Sequence, residues 1–249
     1  MSGNLQDKVK KELCLKSGNR CALPNCHQLL VIDVPQNGKS SIIAVFAHIK
    51  GENVGSARYD PNFPVEERNG FRNLIVVYPT CHKIIDDQEE IYTIEYLVKL
   101  KKDHEEWIMK RYEEEVINVT FKELSEVMHY IADNASISSG SLELIPPKEK
   151  IIKNDLSPKV EKLIVMGLTK ANQVKSYINS HFDLEFANKL VNGFSKEYKR
   201  LKYVEELEAD DLFFALLDFS SDYKSEFLYK AAGLSILSYL FEKCEVFEK

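Results

Sequence analysis

The first half of the chain mixes two spacings of apolar residues, one typical of helices and one typical of strands. Residues 7–17 repeat apolar positions at the helical period, which predicts a short amphipathic helix. Residues 29–32, 41–49 and 73–78 are short apolar runs rich in β-branched side chains, and they predict three strands. A further helix is predicted from Cys81 onward. This half is therefore expected to combine a small sheet with helices.

The rest of the chain has a predominantly helical pattern. Residues 91–115 are predicted to be helical, and residues 116–133 to contain a short strand and another helix. Residues 134–156 are rich in serine, other small polar residues and proline, which predicts a linker. From residue 157 onward the pattern is helical. The last predicted helix, residues 227–241, is apolar on almost every face and is expected to be buried, either in its own bundle or against another chain.

These patterns predict an α+β protein, in which a mixed N-terminal domain is followed by an all-α C-terminal domain. We expect the first domain in residues 1–133, a linker in residues 134–156 and a helical protein-interaction domain in residues 157–249. The length of 249 residues allows one large or two modest domains. The hydrophobic content of 44 % and the charged content of 29 % are typical of globular proteins, so both domains can bury a core.

Membrane-spanning and export signals bear on the location of the protein, and its cysteines bear on metal binding. No apolar run is long enough to span a bilayer, and the first residues lack the basic and apolar regions of a secretory signal, so a cytoplasmic protein with no membrane partner is expected. The five cysteines are an odd count. Without export, metal binding explains closely spaced cysteines better than disulfide bonds do.

The charge is distributed unevenly. The net charge is −6, but residues 1–110 contain 15 basic and 15 acidic residues and are neutral as a group. The remaining residues hold all of the negative balance, with 18 basic and 24 acidic side chains. This distribution allows nucleic-acid contact in the first half and favours a protein partner for the second.

Two histidines and an asparagine suggest hydrolytic chemistry. His48 lies at the end of a predicted strand, and a neutral imidazole near pH 7 suits a general base that deprotonates water for phosphodiester hydrolysis. Asn73, at the start of the third predicted strand, has an amide that could orient His48 or contact a metal. We therefore consider His48, Asn73 and His82 as candidate catalytic residues. Taken alone, each is also an ordinary structural residue.

His82 and Asp86 are four residues apart on a predicted helix, so their side chains share one face. An imidazole and a carboxylate placed in this way can ligate one divalent cation and leave positions open for water and phosphate oxygen. The alternative is an ordinary exposed pair at this spacing. Asp87 is a weaker candidate than Asp86 for the carboxylate.

Three of the cysteines have spacings that suggest a structural zinc site. Cys21 and Cys26 bracket a tight turn, and Cys81 follows far downstream. A tetrahedral site needs a fourth ligand, but the residue three before Cys81 is Tyr78, a poor zinc ligand. His27 is an awkward substitute because it adjoins Cys26. A metal-free core that packs the free thiols as small apolar groups explains the pattern equally well.

A long predicted loop, residues 51–72, connects the strands that carry the candidate base and the asparagine. Long loops in compact domains are usually functional. Arg58, Arg68 and Arg72 lie in this loop, and in a nuclease they would contact phosphate. They can also be ordinary surface arginines.

Several short motifs in the first half resemble an HNH endonuclease domain over about residues 10–110. The resemblance rests on their order along the chain: Ser17-Gly18-Asn19-Arg20-Cys21-Ala22, Cys26, Ala47-His48-Ile49, Arg58-Tyr59-Asp60, Glu66-Glu67-Arg68-Asn69, Asn73-Leu74-Ile75 and Cys81-His82-Lys83-Ile84-Ile85-Asp86. It implies the ββα-metal fold, in which a hairpin carries the base and a helix carries a ligand of one divalent ion, usually magnesium or manganese. It also implies that His48, Asn73 and His82 are the three residues of the family signature.

The sequence departs from this family at two positions. Many HNH enzymes carry an acidic or histidine metal ligand just before the base, where this chain has Ala47. Tyr78 stands where a cysteine is usual. The resemblance therefore leaves two expectations open: a metal-dependent DNA endonuclease, or a catalytically weak HNH scaffold that binds DNA or serves as an ATPase adaptor.

The C-terminal residues 235–249 are similar to the ends of proteins from bacterial three-component ABC-ATPase conflict systems, and residues 151–249 fit that helical domain in length and pattern. This similarity implies a module that docks on a partner of the same system, such as an ABC-type ATPase. The nuclease would then be the effector of a defence against foreign DNA.

Overall fold

A computed structural model of the chain describes residues 5–34, 39–133, 135, 147–221 and 224–243. The chain divides into two compact units, Met1–Ile108 and Met109–Lys249. The first combines helices with short strands, and all the regular elements described in the second are helices. The expected α+β class is therefore confirmed at this coarse level.

The first unit contains short strands between helices. In chain order its elements are α1 (Asp7–Lys16), β1 (Val31–Val34), β2 (Lys39–Ile42), β3 (Val45–His48), α2 (Val65–Arg68), a 3₁₀ turn (Phe71–Asn73), β4 (Leu74–Val77), α3 (Pro79–Asp87) and α4 (Ile94–Asn118), which continues into the second unit. The strands β1 and β2 pair antiparallel, and β3 and β4 form a second antiparallel pair. In the second pair, His48 lies opposite Leu74 and Val45 opposite Val77.

The core of the first unit is built around β4. All four residues of this strand are buried, as a continuous apolar run predicts. Helix α1 packs on β4, and helix α3 packs on β3. Ala47 on β3 and Ile85 on α3 are both fully buried in this core. The end of β3 and the first turns of α3 are therefore held in place by one set of apolar contacts.

The predicted strands shift in detail. The strand predicted over residues 41–49 is interrupted, because the N–H of Ile43 donates to the carbonyl of Leu30 at 2.8 Å instead of continuing a ladder. The strand predicted over residues 29–32 begins at Val31. The hairpin turn suggested by Asn37-Gly38 lies outside the described residues. The predicted loop 51–72 contains α2 and the start of the 3₁₀ turn.

The second unit is a bundle of helices around the last one. After the end of α4 it contains α5 (Phe121–Asp133), α6 (Pro147–Lys153), α7 (Pro158–Leu168), α8 (Ala171–Ser180), α9 (Phe186–Tyr203), α10 (Ala209–Ser220) and α11 (Phe227–Lys243). Helix α11 packs on α5, α7, α8 and α10. The helix is buried, as expected, and the other helices of this unit cover it. Within the described parts of the chain, no helix combines the length and apolar character needed to cross a membrane.

The division between the units differs from the predicted domain boundary at residue 133. Helix α5 packs on α9 and α11, and its apolar face, which includes Leu124, Val127 and Met128, is buried there. The unit boundary consequently lies inside α4, between Ile108 and Met109. The strand predicted within residues 116–133 is replaced by the end of α4 and by α5, and the predicted linker 134–156 contains α6.

Candidate functional site

His48 is the last residue of β3, and strand alternation separates it from its neighbour. Ala47 faces the core and is fully buried, whereas His48 is only half-buried. The Nε2 atom of His48 lies 2.8 Å from Oδ1 of Asn69, the residue that follows α2. The candidate base is thus oriented by Asn69, which sequence reasoning did not assign. Asn69 did lie in one of the motifs that carry the family resemblance.

Asn73 has a structural role in the fold. Its side chain is buried, and Nδ2 donates to the carbonyls of Lys50 at 2.9 Å and Arg68 at 2.8 Å. Its Oδ1 accepts from the N–H of Lys50 at 2.9 Å. Both amide hydrogens are therefore used by main-chain oxygens. The expectation that Asn73 orients His48 or contacts a metal is replaced by a clamp that fixes the loop ends beside the strands.

His82 and Asp86 share one face of α3, as the spacing predicts. Nε2 of His82 lies 3.3 Å from Oδ2 of Asp86, and both side chains are more than a third exposed. Asp87 points elsewhere on the helix, because its carboxylate contacts Lys83 at 2.6 Å and 2.7 Å on the exposed surface. The pair of His82 and Asp86 is therefore the accessible imidazole–carboxylate pair on this helix.

Arg58 connects this pair to the strand that carries the candidate base. Its side chain is only 4 % exposed. The Nη2 atom donates to Oδ1 of Asp86 at 2.7 Å and to the carbonyl of His48 at 3.2 Å. Nε and Nη1 donate to the carbonyls of Ile49 and Ile85 at 3.0 Å and 2.9 Å. The structure thus corrects the expectation of a phosphate contact: Arg58 is a buried cross-link between β3 and α3.

The other two arginines of the loop differ from each other. Arg68 is buried, and its Nη1 donates to the carbonyl of Glu52 at 2.5 Å while its guanidinium lies 4.9 Å from the centre of the Tyr59 ring. It folds the loop and is not available to phosphate. Arg72 is exposed on the 3₁₀ turn. Of the three predicted phosphate contacts, Arg72 alone is accessible.

The three cysteines come together as their spacing suggested. The sulfur atoms of Cys21, Cys26 and Cys81 all lie within 4.8 Å of one another, so one ion can contact all three. Burial raises the pKa of the Cys21 thiol, although the N–H of Tyr78 donates to its sulfur at 3.2 Å. Burial and the neighbouring sulfur of Cys21 raise the pKa of Cys81. Since metal binding needs thiolates, an ion bound here would displace protons from these groups.

Tyr78 and His27, the two residues considered for a fourth ligand of the sulfur site, make other contacts. Tyr78 caps the start of α3 and uses its main-chain N–H for Cys21. His27 stacks on Trp107, with ring centroids 3.9 Å apart and planes 3° from parallel, and its Nδ1 lies 3.3 Å from the carbonyl of Cys21. Burial lowers the pKa of His27. Among the described residues the cluster therefore supplies three thiols, and no fourth ligand lies with them.

The candidate residues thus form two groups in the first unit. Arg58 joins the strand end at His48 to the pair of His82 and Asp86, and the cysteines form the other group. Comparison with known proteins adds no assignment: no family model matches the chain, and no curated protein matches it.

Proposed function

We propose that the chain is a metal-dependent DNA endonuclease of the HNH type, with a ββα-metal centre formed by β3, β4 and α3. The observation that carries this proposal is the double contact of one Arg58 nitrogen with the carbonyl of His48 and the carboxylate of Asp86. It ties a candidate base on an antiparallel strand pair to a candidate ion-binding pair on the helix that follows. The ordered motifs of the sequence support the same proposal.

In this proposal His48 removes a proton from the water that attacks phosphorus. The imidazole is only half-buried at the end of β3, so a water molecule can reach it and transfer a proton to it. Arg58 and Asn73 do not touch the substrate; Arg58 holds the backbone at His48, and Asn73 holds it two residues further on, at Lys50. Arg72 is the exposed cation that would contact a DNA phosphate.

His82 and Asp86 are the residues that would hold the divalent ion. Their donors are one imidazole nitrogen and one carboxylate group, and both side chains reach solvent. Carboxylate oxygen suits magnesium or manganese, while imidazole favours a transition metal, so this donor set fits manganese better than magnesium. A bound ion would stabilise the negative charge that develops on the leaving oxygen. Because Oδ1 of Asp86 already accepts from Arg58, Oδ2, which lies 3.3 Å from Nε2 of His82, is the oxygen that would contact the ion beside that nitrogen.

We further propose that Cys21, Cys26 and Cys81 hold a structural zinc ion. Three thiols drawn from two distant parts of the chain fit zinc, which prefers sulfur ligands in structural sites. The ion would cross-link the turn before β1 to the start of α3 and so support the helix that carries His82. The fourth position would be taken by water or by a partner.

For the second unit we propose docking on a partner protein, with the nuclease as effector of a bacterial defence system. The negative balance of the chain lies in this part. Phe182 and Leu184, between α8 and α9, are 91 % and 93 % exposed, which is unusual for large apolar side chains on one short connection. A purified ABC-type ATPase encoded beside this chain should bind the wild type and lose binding to a Phe182→Ser, Leu184→Ser variant.

The nuclease is tested by nicking of supercoiled plasmid DNA with magnesium or manganese. We expect cleavage by the wild type and at least a hundredfold loss in His48→Ala. His129→Ala is the matched control, because His129 is an exposed histidine of the second unit that hydrogen-bonds within its own helix. Equal cleavage by the wild type and His48→Ala would reject the role of His48.

A second candidate function is a catalytically weak HNH scaffold that binds DNA or acts as an ATPase adaptor. The fully buried Ala47 favours it, because the position before the base offers no ligand. Asp86 is also partly neutralised by Arg58. Calorimetric titration with manganese separates the two functions, since the inactive scaffold should bind no divalent ion that depends on His82.

A further inference from the structure

A short polar chain leads away from the candidate base. Oδ1 of Asn69 lies 2.8 Å from Nε2 of His48, and Nδ2 of Asn69 donates to Oε1 of Glu52 at 3.0 Å. The three residues therefore form a linear arrangement of imidazole, amide and carboxylate. Neither Glu52 nor Asn69 belongs to the candidate ion-binding pair.

The carboxylate of Glu52 determines which way the amide of Asn69 faces. An ionised carboxylate accepts hydrogen bonds and donates none, so the amide must present its NH₂ group to Glu52. Its oxygen consequently faces His48. An amide oxygen accepts only, so Nε2 of His48 must carry the hydrogen in this contact. The neutral imidazole is thereby held in the form protonated at Nε2.

The other ring nitrogen of His48 is then the basic one. Among the described residues, Nδ1 of His48 has no hydrogen-bond partner. The lone pair of a ring protonated at Nε2 lies on Nδ1. An imidazole of the opposite form would have no free lone pair on Nδ1, and its Nε2 lone pair would face the oxygen of Asn69.

The surrounding loop keeps these groups in register. The main-chain carbonyl of Glu52 accepts from the buried guanidinium of Arg68, so residues 52 and 68 are fixed to each other beside Asn69. Oε2 of Glu52 accepts from Nδ2 of Asn53 at 3.4 Å. The carboxylate of Glu52 is thus restrained by two asparagine side chains. Asn69, the residue whose amide it orients, is itself fixed at the end of α2.

We propose that Glu52 and Asn69 are positioning residues that hold His48 protonated at Nε2 and present Nδ1 as the base. The catalytic consequence rests on the proposed nuclease function, whereas the protonation pattern of the ring does not. Glu52 acts through Asn69: its negative charge polarises the amide and favours the imidazolium that forms when Nδ1 accepts a proton.

The direct test is long-range ¹H–¹⁵N correlation spectroscopy of the full chain labelled with ¹⁵N-histidine, at a pH where His48 is neutral. The His48 signals are assigned by their loss in His48→Gln. We expect the Nε2-protonated pattern in the wild type. In Asn69→Ala and Glu52→Gln we expect a mixture of the two neutral forms, because the amide is removed or is free to turn over.

Matched controls are available in the same loop. Asn62 and Glu67 are exposed, so Asn62→Ala and Glu67→Gln should leave the His48 pattern unchanged. In the nicking assay Asn69→Ala and Glu52→Gln should lower kcat by about 10- to 100-fold with little change in KM for DNA. The two controls should cleave like the wild type. The wild-type spectrum decides the proposal even if a variant fails to fold.

The outcomes separate this inference from the nuclease function. A wild-type ring protonated at Nδ1, or an unchanged pattern in a folded Asn69→Ala, overturns the positioning role even when DNA is cleaved. The expected pattern in a chain that cleaves no DNA supports the positioning role and rejects the nuclease. The expected pattern together with the kcat losses supports both.

Discussion

The guanidinium of Arg58 contacts the carboxylate of Asp86 at 2.7 Å, across 28 residues of sequence. The arginine is 4 % exposed and the aspartate 39 % exposed, so one end of the ion pair is buried and the other reaches solvent. Since the same nitrogen also bonds the carbonyl of His48, the pair connects a strand end to a helix. The ion pair of Arg58 and Asp86 therefore holds the end of β3, with His48, against α3, with His82.

Replacing Arg58 with methionine should therefore destabilise the first unit. The change leaves the carbonyls of His48, Ile49 and Ile85 without their donor, and we expect a loss of about 3 kcal/mol in the free energy of unfolding. Arg72→Met, at an exposed site, should stay within about 0.5 kcal/mol of the wild type. Urea unfolding followed by fluorescence of the single tryptophan measures both. Equal stabilities would show that Arg58 is not a structural cross-link.

Asn73→Ala should affect stability in a similar way. It removes the hydrogen-bond donors of the carbonyls of Lys50 and Arg68, and we expect a loss of about 2 kcal/mol in the free energy of unfolding. Asn62→Ala, on the surface of the preceding loop, is the control and should be neutral. A folded Asn73→Ala with wild-type stability and no cleavage would contradict the clamp and restore a direct catalytic role for Asn73.

Some features of the site followed from the sequence because they depend on local geometry. The spacing of His82 and Asp86 predicts a shared helix face, and the structure places their side chains 3.3 Å apart. The apolar run before Pro79 predicts the buried strand β4. Cys21 and Cys26 lie close to Cys81 because the turn that holds the first two and the start of α3 border the same core.

Other features depend on side chains that cross long distances and could not be read from spacing. Arg58 and Arg68 have the appearance of surface loop arginines, yet the loop folds back and buries both against main-chain oxygens. From the sequence, Asn73 is the expected partner of His48, and spacing along the chain does not point to Asn69. Only the path of the loop decides that Asn69 contacts the imidazole and that Asn73 holds the backbone.

The sulfur cluster should contain zinc in protein purified without chelator. We expect about one equivalent per chain by elemental analysis, and its loss in Cys26→Ser. Cys14→Ser is the control, because Cys14 lies outside the cluster. Removal of zinc should lower the thermal midpoint of the first unit, since a metal bound only by the folded state stabilises it. A wild type without metal, melting at the same temperature with and without chelator, would favour packing of free thiols.

Manganese binding should depend on α3. His82→Ala removes the imidazole donor and should weaken manganese binding at least about tenfold, measured by calorimetry. Asp86→Asn replaces the charged carboxylate ligand by a neutral amide and should weaken manganese binding by about 10- to 100-fold. Asp87→Asn is the matched control, since that carboxylate pairs with Lys83 on the surface. If all three variants bind like the wild type, the ion site is not on this helix face.

The stability of the first unit should fall on acidification because of His104. Burial lowers the pKa of His104 to about 4, although its Nε2 donates to the carbonyl of Ser17 at 3.0 Å. Between pH 6.5 and pH 4 the unfolded chain binds a proton that the folded chain does not, so the free energy of unfolding decreases as the pH falls through this range. His104 lowers the free energy of unfolding by about 3 kcal/mol over this whole range. Above pH 6.5 it causes no decrease.

A comparison with His104→Gln isolates this contribution. The carboxylates whose pKa values are lowered in the fold, such as Asp60, also destabilise the protein in acid, but they do so in both proteins. His27, whose pKa burial also lowers, is likewise present in both. The difference in unfolding free energy between wild type and variant should therefore change between pH 7 and pH 4.5, measured by fluorescence of Trp107. A constant difference would mean that His104 gains no proton on unfolding, and its burial would not explain the acid sensitivity.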